Sequence, residues 1–180
     1  ALCQLQSFSP AECMQGFLVN EFLLLFLLIP LAVPVTIASY SIVGEKSTRS
    51  LEPLLATPTS TTEIIIGKGL ASVIPAIGAT WLAFVIFLIG ARFFVVSDRV
   101  YALFMNPMWA VAMFIVAPLM TVFAVNIAII ISSRVNDPRA AAQIGMLVML
   151  PILMIFFGSI FGLFTLTTTS MLAFGALTLL

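Results

Sequence analysis

The chain has 180 residues, 62% of them hydrophobic and only 8% charged, with seven basic and seven acidic side chains and no histidine. A soluble domain carries about 25% charged residues, so these are too few to coat a water-facing surface, and a membrane protein is expected rather than a subunit buried in a large soluble assembly. Zero net charge points to no nucleic-acid partner, and the missing histidine removes the commonest general base and metal ligand, so no metal site is expected.

A membrane-crossing helix needs roughly 20 apolar residues. The segment before the first apolar run holds both cysteines, Cys3 and Cys13, and no basic residue, so it does not read as a signal peptide. The first span is predicted over 17–43, with Pro30 and Pro34 inside it as sources of a kink. Glu21 lies within about a turn of its outer end and is expected at the interface, though an intramembrane carboxylate could also serve a substrate or a proton.

Residues 44–68, "GEKSTRSLEPLLATPTSTTEIIIGK", hold six of the fourteen formal charges between two long apolar runs. Ser50 can cap a short helix, Pro53 falls in its first turn where a missing N–H does no harm, and Pro58 ends it. Leu51, Leu54 and Leu55 share one face at helical spacing. Such a helix could lie among lipid headgroups or dock on a partner, and the residues alone leave both open. Ser60-Thr61-Thr62-Glu63 fits a capping box opening the second span, 64–91, in which Trp81 is expected to pack.

A polar loop with Arg92, Asp98 and Arg99 follows, and reads as a solvated turn. Asn106-Pro107 reads as a cap and first helical position for the third span, 107–131. Trp109 near its end fits an interfacial aromatic belt, and Asn126 is expected to hydrogen-bond to another helix. Asp137-Pro138 opens the fourth span, 140–164, after the loop "SSRVNDPRAA" that carries Arg134 and Arg139. Phe156 and Phe157 could face a hydrophobic export path, though packing on lipid or helices is the expectation, and "GSIFG" at 158–162 is a small-xxx-small pattern permitting close helix approach. The patch "TLTTTS" at 165–170 is the expected turn into a fifth, incomplete span over 170–180.

The runs are apolar on every side rather than alternating, which excludes barrel strands. The fold class expected is therefore an all-α polytopic bundle: four complete spans, one truncated span and a short helix between the first two. An initial Ala and an end within "MLAFGALTLL" suggest a fragment of a single transmembrane domain; an earlier span restored and the last completed would make six. Basic residues favour the cytoplasmic side. Lys46, Arg49, Lys68, Arg134 and Arg139 on one side against Arg92 and Arg99 on the other place the 44–63 and 132–140 loops inside and the N-terminal segment outside. There Cys3 and Cys13 could form a disulfide or remain separate thiols.

The 44–68 stretch resembles the loop after the second span in permease subunits of type-two ABC exporters, the ABC-2 type. In that family a charged, Glu-rich turn leads into a Leu-Glu-Pro-Leu-Leu-Ala-Thr-Pro core and on to a Gly-Lys, matched here by residues 51–58 and Gly67-Lys68. Arg49-Ser50 stands where the family more often has Gly-Thr. The stretch "SSRVNDPRAAAQ" at 132–143 is similar to the family's second cytoplasmic loop, with Arg134, Asp137 and Arg139 in it.

The resemblance implies a non-enzymatic, multi-pass permease of a prokaryotic plasma membrane, pairing with a second copy or a related chain and moving its substrate outward. ATP and Mg would sit on separate ATPase subunits; this chain has no Gly-x-x-x-x-Gly-Lys-Ser/Thr phosphate loop and is expected to bind no cofactor. The short helix would be the coupling helix, with Leu51, Leu54 and Leu55 as anchors held between Pro53 and Pro58, and Glu45, Lys46, Arg49 and Glu52 as the rim. The competing readings are an ion-coupled secondary transporter, a non-catalytic assembly subunit and an intramembrane enzyme. With Glu21 and Lys68 expected at interfaces, the spans offer little for the first of these, and almost no catalytic inventory for the last.

Overall fold

A computed structural model describes residues 9–47, 60–163 and 167–177. Ser9 accepts from the Glu12 N–H, and Glu12 returns the bond to the Ser9 N–H, opening α1 (Pro10–Phe26). The chain breaks at Leu27 and Leu28, two residues ahead of Pro30, and resumes as α2 (Ile29–Ser47). The same reciprocal cap at Ser60 and Glu63 opens α3 (Thr61–Phe94). A short α4 (Asp98–Tyr101) and a 3-10 turn (Ala102–Met105) lead to Asn106, whose side chain accepts from the Met108 N–H and starts α5 (Pro107–Val111). A π-helical turn (Ala112–Val116) joins α5 to α6 (Ala117–Arg134). After Asp137 come α7 (Pro138–Gly145), a 3-10 turn (Met146–Met149), α8 (Leu150–Ile160) and, beyond a turn, α9 (Thr168–Leu177).

The described residues contain no strand, and four helical stretches are long and apolar enough to cross a membrane: Pro10–Ser41, Thr62–Phe94, Asp98–Arg134 and Pro138–Ile160. The third begins nine residues before the expected 107, because α4 and the 3-10 turn stack onto it. Three of the irregular turns have one cause. Pro30, Pro118 and Pro151 each occupy the second position of a helix, a place that tolerates proline, whereas an α-helix continued behind them would meet the ring and lack the N–H. The preceding segment relaxes as a break at Leu27–Leu28, a π turn, or a 3-10 turn. Pro34 and Pro75 sit inside α2 and α3 without interrupting them.

Val19, Leu23, Leu27, Leu31 and Val35, four residues apart, form a buried seam that continues across the break between α1 and α2. The most extensive packing is of α2 on α6. The α6 face carries Ala117, Ala124, Ala128 and Ser132, all buried, and small residues let two backbones approach closely inside a membrane. α2 also crosses α3 and α7, so it is the element the bundle is built around. α3 is different: Ile66, Ile74, Leu82, Ile86 and Phe93 are among many large apolar side chains that it exposes. Its 34 residues span about 51 Å at 1.5 Å per residue, well beyond a hydrocarbon core of about 30 Å.

Three expectations are corrected. Trp109 is not in an interfacial belt but only 1% exposed. It stacks on Phe84 (centroids 5.5 Å apart) and Phe87 (6.1 Å), and meets Phe104 edge-on at 5.3 Å. Offset and edge-to-face contacts of this kind stabilise beyond the area they bury. Asn126 donates to the Val122 carbonyl one turn back on its own helix rather than to a neighbour. Gly162 does not pack: it has φ +72 and takes the left-handed C′ position, with the Gly162 N–H bonded to Ser159 O and the Leu163 N–H to Gly158 O. This double bond pattern is a Schellman cap. It stops α8 at Ile160, before the turn expected at 165–170.

Candidate functional site

The two ends of the bundle carry different chemistry. At one end α2 finishes at Ser47, α3 begins at Thr61, α6 finishes at Arg134 and α7 begins at Pro138. Asp137 Oδ1 accepts from the Arg139 N–H at 2.9 Å, and Arg134, Asp137 and Arg139 are all exposed. Asp137 is therefore a helix cap, a role its place before Pro138 signals. The structure brings this loop to the same end as Ser47 and Ser60, because α2 packs against α6 and α7 and the spans alternate. Glu45 and Lys46 belong to the last turn of α2. Arg49, Leu51, Glu52, Pro53, Leu54, Leu55 and Pro58 lie outside the described residues.

α2 and α7 meet in a tight crossing that the sequence reading missed. Gly145, at the end of α7, is buried against Val35 of α2, and a Cβ there would overlap Val35 Cγ1. Glycine at this position lets α7 lie directly on α2.

At the opposite end, Gln15 of α1 ties down the end of α3. Its Nε2 donates to Phe94 O (3.3 Å) and its Oε1 accepts from the Val96 N–H (2.9 Å). Arg92 pairs with Asp98 and lies over the Tyr101 ring, 5.2 Å from its centroid. Cys13 is disulfide-bonded; Cys3 lies outside the described residues.

Glu21 too lies where sequence reasoning did not place it. It is not at an interface but 5% exposed, between α1 and α8. The Ser159 hydroxyl donates to its Oε1 at 2.7 Å, and among the described residues Oε2 has no partner. Gly158 and Ser159 are buried, so the small residues there do admit a close neighbour, and that neighbour carries a carboxylate. No signal near Glu21 could have found this, since its partner lies 138 residues away. In the middle of the third span, the Trp81 indole N–H reaches Met113 O at 3.1 Å, within the π turn, whose altered bonding leaves a carbonyl open to an outside donor. Among the described residues no group of three His, Cys, Asp or Glu side chains could hold a metal.

A family model described as "ABC-2 family transporter protein" matches residues 4–178, nearly the whole chain. No curated protein and no solved structure matches.

Proposed function

The chain belongs to the ABC-2 family of transporter proteins and is a multi-pass membrane permease component; on that premise we propose that it couples through its 44–63 loop to an ATPase on another polypeptide and drives export. ATP and Mg act on that partner. The loop faces the cytoplasm, as five basic residues against two support. A disulfide at Cys13, at the other end of the bundle, fits an oxidising outer compartment. A second permease copy completes the path; the wide apolar face of α3 is exposed and compatible with lipid or such a copy.

The observation that carries the proposal is the central place of α2. It leads into the 44–63 loop and packs on α3, α6 and α7. A push on the loop by closing ATPases would therefore reach three neighbours at once, because packed elements change between discrete arrangements and do not bend smoothly. Leu51, Leu54 and Leu55 serve as apolar anchors, and Glu45, Lys46, Arg49 and Glu52 tune register and docking rate. Arg134, Asp137 and Arg139 form the second inner surface. The burial of Glu21 favours the ion-coupled alternative, since it returns one intramembrane carboxylate to the inventory; the family match favours the ATP-driven reading.

Affinity purification of the tagged chain from its native membranes tests this. A nucleotide-hydrolysing subunit is expected to co-purify. Leu54→Asp with Leu55→Asp is expected to weaken that association by at least about 30-fold, the scale of losing an interface anchor. Recovery of the ATPase undiminished by these changes and by reversal of Arg49 and Glu52 would overturn the coupling role.

A further inference from the structure

Between the start of α1 and the end of α3 lies an open groove of about 360 Å³, at the low end of the range of ligand pockets, roughly 300–1,000 Å³. Leu18, Val19 and Phe22 of α1 and Phe87 and Phe94 of α3 line it, together with the buried Phe104 of the 3-10 turn. Phe22 and Phe87 touch across the floor, 5.6 Å between centroids. The only polar side chain in the lining is Gln15, and both ends of its amide are already bonded to the backbone after α3.

We propose that this groove holds an acyl chain of a bilayer phospholipid, with the lipid phosphate beside Arg99. The walls offer no free donor or acceptor, so a peptide or a sugar entering here would lose its hydrogen bonds to water and regain none. An alkyl chain loses nothing. Leu18, Phe22 and Phe94 of the lining are exposed on helices long and apolar enough to cross the membrane, so hydrocarbon is the medium that meets the groove. Val100 lines the groove, and Arg99, one residue before it in the chain, is exposed on α4, where its charge also acts on the Glu12 carboxylate. A cation thus stands one residue from the apolar lining, which fits the tail-then-phosphate order of a phospholipid. The inference rests on the chain's crossing of the membrane alone and stands whether or not the 44–63 loop binds an ATPase.

Gly90 supplies the test. It lines the groove, and a Cβ added there meets nothing within 4 Å, so Gly90→Trp puts an indole into the groove without moving the backbone. The full chain is reconstituted in bilayers containing a phosphatidylglycerol with a diazirine on one acyl chain, irradiated, and its labelled peptides are mapped. The expected labelling centres on Leu18, Phe87 and Phe94, and falls at least ten-fold in Gly90→Trp, with the exposed Ile66–Ile74 face labelled as before. Arg99→Gln, at an exposed position, is expected to lower groove labelling by the phospholipid about three-fold or more and to leave labelling by a diazirine free fatty acid unchanged. Labelling of the groove no stronger than that of the Ile66–Ile74 face, or undiminished in Gly90→Trp, overturns the site. Labelling indifferent to Arg99→Gln overturns the phosphate assignment, and groove labelling by the diazirine free fatty acid without any by the phospholipid overturns the choice of occupant.

Discussion

Gly145→Val is expected to destabilise the protein by about 2–3 kcal/mol, because a side chain at Gly145 has no room beside Val35. Val35 is β-branched, almost restricted to one rotamer in a helix, and only 1% exposed, so it cannot swing clear. Its helix, α2, is held from other sides by α3 and α6. The helix α7 must therefore move off α2. Replacing glycine in a helix interior recovers some backbone entropy, but no more than about 1 kcal/mol, and less for a β-branched residue; the clash wins. In the purified protein the thermal midpoint should fall on the order of 5–10 °C. Val35→Ala placed beside Gly145→Val should restore most of that loss by vacating the space. If Gly145→Val alone leaves the midpoint unchanged, the crossing of α2 and α7 is not as close as described.

Ser159→Ala is the second large effect. The Ser159 hydroxyl bonds one oxygen of a carboxylate that is 5% exposed, and the other carboxylate oxygen has no partner among the described residues. Removing the hydroxyl leaves a buried acid with no hydrogen bond, which costs about 3 kcal/mol. The pattern across variants separates this from a packing loss, since alanine removes only one oxygen atom. Glu21→Leu combined with Ser159→Ala takes both polar groups out together and should be more stable than Ser159→Ala alone, the reverse of additivity. Glu21→Gln keeps an acceptor for the hydroxyl and should be mild. Unfolding midpoints in which Ser159→Ala lies within about 0.5 kcal/mol of the parent, or in which the double variant is the worst, would contradict the description of α1 against α8.

The sequence is most legible where the determinants are local. Ser60 with Glu63, Asn106 before Pro107 and Asp137 before Pro138 are caps that can be recognised in a few residues, and each opens a helix in the structure. The membrane-crossing helices follow from run length and charge for the same reason. Legibility fails where the determinant is a neighbour. Trp109 sits in a span apolar on every face, so no periodicity marks which side turns inward, and the aromatic cluster that buries it draws on Phe26 and Phe87 from two other helices. Glu21 stands near the end of its apolar run, yet its burial depends on Ser159. Pro118 announces a distortion but not its form; the π turn and its bond to Trp81 depend on how α3 lies beside it. Gly145 reads as an unremarkable helical glycine until Val35 is placed against it. For residues 51–58 the family resemblance and the local caps carry the argument, as this stretch lies outside the described residues.

The central claim is that the segment around Leu54 is pushed by a nucleotide-driven partner on the inner side of the membrane. The most direct test is photocrosslinking in native membranes from a benzophenone amino acid at position 54. A single adduct with a nucleotide-binding subunit, with a yield that changes when ATP is added, is the predicted result. Adducts with lipid alone, or with proteins outside the cell, would contradict the account.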